Sequence, residues 1–479
     1  MFDRTELHDI FSSGFVSSKK LILLGLRTVF LKYNQTINTS ILSLISVFLI
    51  KLLKFRILSV AINATLVTLI AREYGLNHLG YYYLTVSIVL IAGNVISLGV
   101  NKSIVNIVNR RLVDTSRPRV MHLYAKCCLL LSLSSVLLWS LTTVTLFVIH
   151  RGLPPPNELY VWAAIYFAPI YALNLLNCGS FFALKKTVSG TLFFSTIPNF
   201  LSLVIFSYFI LNEINLSGIW QIYLATIIVN TILSTSFWIN PLSRLNLPSP
   251  MPSGAGISPN VTEIAKFSSK FWIISFSSLL LLQLDTLMLG WISTKDEVGL
   301  YSLAYRISAL CGLGILAVNS IFPPKIAAAF KANDLRIEQI CRNTTTLLVL
   351  TTIPAVFLVL VAGEYAFALI FSNLVISTNV LSLLLVGLIF NVFCGPVMQV
   401  LQMSGEEKTA SLWAVLVIVI NFSLNLLLIP KFGSIGAAWA SVCSIIVLNV
   451  ALSIIVYRRH GIIFFFGASY LERLCYGHR

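Results

Sequence analysis

The sequence predicts an all-α, polytopic membrane protein of about 12 transmembrane helices in two six-helix lobes, with both termini cytoplasmic. Three observations carry that expectation. First, 57% of the 479 residues are hydrophobic and only 10% are charged, with a mean hydropathy of +0.89, against about 25% charged in soluble chains. Second, the apolar residues are bunched into stretches of about 20, the length that crosses a hydrocarbon core of about 30 Å. Third, the basic residues that give a net charge of +16 alternate between rich and poor loops, as basic residues do when they fix orientation in a membrane. That distribution accounts for the charge without nucleic acid as a partner.

In chain order, residues 1–51 precede the first span. Lys19 and Lys20 are followed by an apolar run that Arg27 and Lys32 interrupt, with no small-residue cleavage site. The segment reads as an interfacial amphipathic extension or a dispensable one, not as a secretion signal. The first lobe, 52–239, holds spans at 52–71, 81–100, 123–149, 159–183, 188–211 and 216–239. A cytoplasmic linker follows at 240–264, with Pro241, Pro248, Pro250, Pro252 and Pro259 among serines and glycines. That composition belongs to turns and linkers. The second lobe, 265–457, holds spans at 267–292, 300–322, 344–371, 374–403, 410–429 and 435–457, and a cytoplasmic tail runs over 458–479. One set of loops contains Lys102, Arg110, Arg111, Arg117, Arg119, Lys185, Lys186, Arg244, Lys325, Lys331, Arg336, Arg342 and Lys408; the other contains only Arg72, Arg151, Lys295 and Lys431. The rich set is assigned to the cytoplasm.

An internal repeat supports the division into lobes. Gly80-Tyr-Tyr-Tyr-Leu84 opens the second span and Gly299-Leu-Tyr-Ser-Leu303 the eighth, with Leu79, Leu90 and Ile96 matched by Val298, Ala309 and Ile315 at the same offset. Lobes of the same direction, related by an axis along the membrane normal, commonly hold a substrate site between them.

Soluble-enzyme chemistry finds no foothold. The eight cysteines make no CxxC, the six histidines make no HExxH and no i, i+4 pair, and glycine-rich phosphate loops and GxSxG elbows are missing. The cysteines read as small core residues, and no metal site, cofactor or catalytic function is expected.

An ionisable side chain inside a span is costly and is a functional candidate by default. Asp285 lies seven residues before the outer end of the seventh span, and Arg306 six residues into the eighth. At 1.5 Å per residue both lie about 10 Å below the outer face, so they are expected to pair. The pair either neutralises itself and locks two helices together, or it serves transport. In the second case Arg306 faces the inter-lobe cavity as a donor fork for phosphate oxygens, with Asp285 holding it or accepting a coupling proton. Gln283, with Asn63, Asn94, Asn174, Asn319, Asn391 and Gln399, could line a cavity that accommodates sugar; interhelical hydrogen bonds explain such residues equally well. Arg56, Lys102, Lys126 and Lys270 sit at the cytoplasmic mouth, with Lys126 foremost because it falls just inside the third span; snorkelling is their competing explanation. Pro169, Pro198, Pro354 and Pro396 allow bends, and Gly436, Ala437, Ala440 and Ser441 give the small-residue spacing of close helix packing.

With these residues in view, the chain resembles the polysaccharide flippases of the multidrug/oligosaccharidyl-lipid/polysaccharide exporter superfamily. The resemblance is carried by Ala71-Arg-Glu-Tyr-Gly75 with Gly80-Tyr-Tyr-Tyr, Ser97-Leu-Gly-Val100, Leu284-Asp-Thr-Leu-Met-Leu-Gly290, Glu297-Val-Gly-Leu-Tyr-Ser-Leu-Ala-Tyr-Arg306 and Pro323-Pro-Lys-Ile326. Later come Met403-Ser-Gly-Glu-Glu-Lys408 and Asn425-Leu-Leu-Leu-Ile-Pro-Lys-Phe-Gly433 with Ile435-Gly-Ala-Ala438. It implies a two-lobed flippase of the bacterial inner membrane that moves an undecaprenyl-diphosphate-linked oligosaccharide from the cytoplasmic to the periplasmic leaflet. O-antigen repeat units of lipopolysaccharide biosynthesis are the usual cargo. It further implies contact with membrane lipid and with polysaccharide polymerase machinery, and coupling to H+ or Na+. Family members often hold several basic residues in the first lobe's helices; between 57 and 71, and through the second span, this chain has none. Arg306 is thereby left as the principal cation.

Three rivals arise from the same residues. A multidrug extruder of the superfamily needs an acidic cavity for cationic drugs, and the carboxylate Asp285 inside the seventh span lies next to an arginine. A lipid II flippase belongs to a branch with fourteen helices. A membrane glycosyltransferase needs catalytic carboxylates or a long outer loop, and the longest outer loop expected here is 150–158.

Overall fold

The computed structural model describes residues 39–110, 117–150, 154–155, 158–212, 218–239, 260–331, 337–370 and 378–462. The expected interfacial segment around Lys19 and Lys20, the linker prolines and the tail beyond Ile462 lie outside the described residues, as does the side chain of Lys270. Residues 1–51 and 52–479 form separate compact units. In the first unit, residues 39–51 are helical. The packing and the candidate site belong to the second unit.

Every regular element among the described residues is helical. In order they are α1 (Thr39–Ser97), α2 (Val100–Arg110), α3 (Arg117–His150), α4 (Leu159–Ala183), α5 (Thr187–Thr191), a π-helical turn (Leu192–Thr196), α6 (Ile197–Leu211) and α7 (Trp220–Ile239). The second half continues with α8 (Val261–Ile292), α9 (Lys295–Cys311), α10 (Leu313–Lys331), α11 (Ile337–Ile370), α12 (Thr378–Cys394), α13 (Val397–Met403) and α14 (Glu407–His460). Helices are the open-chain answer to hydrocarbon, because each backbone N–H finds its carbonyl within the segment. The many Ser and Thr residues are tolerated by the same device. Thr65 donates to the Ala61 carbonyl at 3.0 Å, Thr68 to Ala64 at 2.9 Å and Thr351 to Leu347 at 2.8 Å, so their hydroxyls need no water.

Among the described residues, eight helices are long and apolar enough to cross a membrane, or nine if the bent pair α12 and α13 is one span. Two are too long for a single crossing. The Lys54–Ser97 stretch of α1 has 44 residues and α14 has 54, whereas about 20 suffice. Each is interrupted by a glycine with non-helical backbone, Gly75 (φ 83°, ψ 175°) and Gly433 (φ 56°, ψ −131°). Both lie where the sequence places a short loop on the side poor in basic residues.

Sequence and structure differ at three places: the eighth expected span, 300–322, is divided at Gly312 into α9 and α10, and two boundaries move. α8 begins at Val261, inside the expected 240–264 linker, because Asn260 and Glu263 form a capping box that starts the helix there. The tenth expected span is broken at Gly395 (φ 72°) and Pro396, with a bend of 44°. Proline there cannot donate to the preceding turn, and the glycine takes the left-handed conformation. Pro169 and Pro354 stay inside α4 and α11. Pro198 follows the π turn, whose Phe193 carbonyl accepts from Asn174 (3.4 Å) and Asn230 (3.1 Å).

Packing falls into two sets. In the first half α4 packs on α2, α3 and α7, and α6 on α7; in the second, α14 packs on α8, α12 and α13, and α11 on α10 and α12. Large side chains on α3, such as Leu137, Val144 and Phe147, are exposed, the signature of a helix facing lipid. α8 also touches α2 and α3. The halves also meet along the part of α1 that follows Gly75.

Candidate functional site

The seam between the halves is built by the post-Gly75 part of α1, with α2, against α8 and α9. Asn77 donates to Asp296 at 3.0 Å, Ser87 to the Gln283 side-chain oxygen at 2.7 Å, and the Trp272 indole to the Asn94 carbonyl at 3.0 Å; the Ser103 and Ser268 hydroxyls meet at 2.5 Å. Gln283 is therefore committed to holding the seam.

Arg306 reaches across this seam. Its guanidinium carbon sits 4.7 Å from the centroid of the Tyr83 ring in the first half and 5.6 Å from that of Tyr305 on its own helix. Both are within the range of cation–π attraction, about 0.5–2 kcal/mol each. Tyr83 donates to Asn63 (3.4 Å), Asn63 to Asn199 (3.4 Å), and Asn199 to the Ser59 hydroxyl (3.0 Å) and carbonyl (3.1 Å). The ring under Arg306 is thus anchored by a neutral relay within the first half. Arg306 Nε is buried without a hydrogen-bond partner, and among the described residues no carboxylate lies within ion-pair distance of this arginine.

The expected Asp285–Arg306 pair does not form. Asp285, 4% exposed, is the one charged side chain among the buried described residues. It is fully occupied inside the second half, accepting from Tyr301 (2.6 Å), Asn425 (2.6 Å) and Ser441. The reason is azimuthal. Tyr301 and Arg306 are five residues apart on α9, about 140° around a helix. Tyr301 therefore turns to Asp285 and α14 while Arg306 turns to α1. The Tyr301 and Tyr305 rings stack between them at 6.4 Å with 18° between planes. Equal depth in the bilayer brings the two charges within reach of each other, but the helix faces that carry them point apart.

The other predicted residues stand apart. Arg56 is exposed on α1 and Lys126 half-buried on α3; the Arg306 clamp and the Asp285 cluster are built without them. Three residues of the cluster, Tyr301, Asn421 and Asn425, are not among the candidates that span position selects, and small-residue spacing marks Ser441 only for packing. Asn425 also donates to Asn421 (3.0 Å), and its own Oδ1 is buried without a partner. The sequence does carry a signal for them: Asn421 and Asn425 are i, i+4 polar residues on one face of an otherwise apolar helix.

Residues 46–324 match the family described as "Polysaccharide biosynthesis protein", and residues 192–472 match the family described as "Lipid II flippase MurJ". Each match covers more than half of the chain. The chain belongs to the polysaccharide flippase family of the multidrug/oligosaccharidyl-lipid/polysaccharide exporter superfamily. A family relative, the "Probable low-salt glycan biosynthesis flippase Agl15" of Haloferax volcanii, is 31% identical over 196 residues, which are 40% of this chain and 41% of that protein. The chain spans about two fifths of the length of the curated relatives it matches. Among solved structures, the inward-facing form of a multidrug resistance MATE family transporter of the same superfamily gives a TM-score of 0.63 at 16% identity, covering 83% of this chain and 94% of that one. The lipid II flippase MurJ in an inward closed conformation gives 0.63 at 13%, covering 84% and 87%. At such identities these two likenesses show the fold shared across the superfamily, not a cargo.

Proposed function

We propose that the protein moves a lipid-linked oligosaccharide, an O-antigen-type repeat unit on undecaprenyl diphosphate, from the cytoplasmic to the outer leaflet of the bacterial cytoplasmic membrane. The observation that carries this reading is Arg306, a cation on the seam between the halves with aromatic rings on two sides and no carboxylate partner among the described residues. A planar guanidinium with an unpartnered Nε is suited to phosphate oxygens. The cargo explains why such a group is worth keeping there. A sugar diphosphate cannot enter hydrocarbon, because its hydroxyls and charges would lose water without replacement. A seam with a cation and neutral amides replaces part of that water while the lipid tail stays in the bilayer. The two lobes, 52–239 and 265–457 with both termini cytoplasmic, then rock about the site. Arg56 and Lys126 serve as a basic entrance, Gln283 as part of the wall, and the polysaccharide polymerase machinery receives the product.

Outward movement of two negative charges is favoured by the membrane potential at about 2.3 kcal/mol per charge per 100 mV. Asp285 supplies the place for a coupling H+ or Na+. Its carboxylate is gathered with hydroxyl and amide oxygens, including the unpartnered Asn425 Oδ1, the hard donors that such ions take. It reports to Arg306 through the Tyr301–Tyr305 stack.

The test is replacement of Arg306 by alanine in a strain whose surface glycan requires the gene. Glycan is expected to be lost while the protein remains in the membrane at normal abundance. Normal surface glycan in that strain would leave Arg306 as a packing contact and end the proposal.

A further inference from the structure

α9 opens with the residues of a capping box, Thr294 and Glu297, and uses them differently from α8. The Thr294 hydroxyl accepts from the Glu297 N–H at 3.4 Å. In the full motif the glutamate also reaches back to the N–H of the capping residue, as Glu263 does at the start of α8, accepting from Asn260 at 3.2 Å. The Glu297 carboxylate goes to another helix. Its Oε2 accepts from the Ser434 N–H of α14 at 2.7 Å, across 137 residues of chain. Ser434 follows the non-helical Gly433, and the first N–H groups of a helix have no carbonyl within it to receive them. A carboxylate on one helix thus caps the restart of another, where the helix dipole reinforces a charge-assisted bond. Gly433 leaves the room: a Cβ there would stand 2.8 Å from the same oxygen.

This cap lies on the back of α9. Nine residues separate Glu297 from Arg306, about 180° around a helix. The front of α9 is the seam face: a Cβ at Gly299 would run into the Leu76 carbonyl, Leu303 is buried in an apolar cluster of the first half, and Arg306 lies over Tyr83. The back faces α14. One turn after Glu297 the Tyr301 and Ser441 hydroxyls meet at 3.2 Å, and Tyr301 and Ala304 are buried with Ala437 and Ala438. α9 is therefore fastened along one edge at two points to the arm of α14 that follows Gly433, Glu297 to Ser434 and Tyr301 to Ser441. Two fastenings on one edge fix the rotation of a helix about its own axis, whereas a single one leaves it a pivot.

The internal repeat couples this fastening to the guanidinium. At the offset that pairs Gly80 with Gly299, Glu297 is equivalent to His78 and Arg306 to Ser87. The His78 Nδ1 lies 2.9 Å from the Tyr74 carbonyl of its own helix. The reaching carboxylate occurs in the half that carries the arginine, and its equivalent is a ring turned back on its own turn.

We infer that Glu297 is a positioning residue for Arg306: by capping α14 from the back of α9 it sets the rotation of that helix and so holds the guanidinium on the seam, where the diphosphate of the cargo binds. That a diphosphate binds there rests on the flippase reading; that Glu297 orients α9 does not. Glu297 itself touches no cargo. What it supplies is an acceptor at the right reach, and the charge is secondary. An amide oxygen at the same reach serves, while a carboxylate one methylene shorter stops about 1.5 Å away, the length of a carbon–carbon bond.

The experiment compares Glu297→Gln, Glu297→Asp and Glu297→Ala with the parent and with Arg306→Ala, each as full-length protein purified in detergent. One readout needs no cargo: Asn77→Cys and Asp296→Cys are added to each protein, at side chains that share a hydrogen bond of 3.0 Å across the seam, and the rate of disulfide formation is followed by mass spectrometry of the joined peptides. The other is binding of undecaprenyl diphosphate without the cysteine pair. Glu297→Gln is expected to match the parent in both. Glu297→Asp and Glu297→Ala are expected to slow the disulfide and to weaken binding severalfold, by less than Arg306→Ala weakens it. Parental disulfide rates in Glu297→Asp and Glu297→Ala would overturn the inference. So would the reverse order, with Glu297→Asp like the parent and Glu297→Gln impaired, which would make the charge the agent. Binding that Arg306→Ala loses and Glu297→Ala keeps in full would overturn it as well. Disulfide rates in the expected order, with undecaprenyl diphosphate bound equally by Arg306→Ala and the parent, would keep Glu297 as the residue that orients α9 and dismiss the flippase reading.

Discussion

The two halves of the molecule are built alike and furnished differently. In the first half the polar interior near the seam is neutral: Tyr83, Asn63, Asn199 and Ser59 form one relay, and Tyr82 donates to Ser202 (3.3 Å), whose hydroxyl meets that of Thr226 at 3.0 Å. In the second half Tyr301, the equivalent of Tyr82, donates instead to a carboxylate, Asp285. The cations at the seam repeat the asymmetry: Lys295, 5.6 Å from the centroid of the Tyr160 ring in the first half, has Leu76 as its equivalent, and Arg306 has Ser87, which spends its hydroxyl on Gln283. A duplicated scaffold supplies the motion in this reading, and the charges placed on only one copy supply the chemistry.

The largest expected effect comes from removing the charge that only the second half has. Asp285→Ala leaves the Tyr301 hydroxyl, the Ser441 hydroxyl and the Asn425 amide short of an acceptor, at about 1–3 kcal/mol for each group that cannot re-pair. Tyr301 and Ser441 already lie 3.2 Å apart and can satisfy each other in part. A lower unfolding temperature in detergent and loss of transport are expected. Asp285→Asn keeps the shape and is expected to keep the fold, while transport no longer responds to the coupling ion. Wild-type stability of Asp285→Ala would show that the cluster is not the anchor its geometry suggests.

A smaller and sharper test moves the cation across the axis. The exchange Ser87→Arg with Arg306→Ser keeps composition and depth but takes the guanidinium away from Tyr83 and Tyr305. Transport is expected to stay as low as with Arg306→Ala, because the Ser87 position faces Gln283. Full recovery in a surface-glycan assay would mean that the side of the axis is immaterial and that the contrast between the halves carries no function.

How much of this is legible in the residues alone depends on which quantities a sequence encodes. Apolar length is encoded, so the spans are legible, and so is the repeat at Gly80 and Gly299. Depth is encoded too, which is why Asp285 and Arg306 stand out. Direction around the helix is encoded only when the face is known. The seam face at 295/296, 299, 303 and 306 continues with the three-to-four spacing of one helix side. Reading the repeat along that face turns Arg306 toward the other half and away from Asp285. The π turn at Leu192–Thr196 and the Gly395 bend depend on tertiary packing around Pro198 and Pro396, and no periodicity announces them. Ser441 shows the opposite limit: a small residue in a packing stripe is also a donor when a carboxylate faces it.

The smallest expected effect lies where the two ends of α14 come together in the second half. Arg459 and Thr409 donate to Glu406, and the Arg459 hydrogen bond, followed by that of Thr409, holds the Glu406 carboxyl below its usual range. A carboxylate depressed on folding adds stability above its unfolded pKa and loses it as pH falls through the folded one. Glu406→Gln is therefore expected to lower the unfolding temperature slightly at pH 7 at low salt. The difference from the parent should close as pH falls through the lowered folded-state pKa, where the carboxyl becomes neutral like the amide. Because the pair is exposed, high salt should close it too. A difference unchanged by acid would assign the effect to packing.

The most direct measurement for the central claim is binding of undecaprenyl diphosphate to the purified full-length protein in detergent, comparing the parent, Arg306→Ala and Asp285→Asn at one fixed salt concentration. Arg306→Ala is expected to lose most of the affinity and Asp285→Asn to keep it, since only Arg306 faces the seam. Equal binding by Arg306→Ala and the parent would contradict the account.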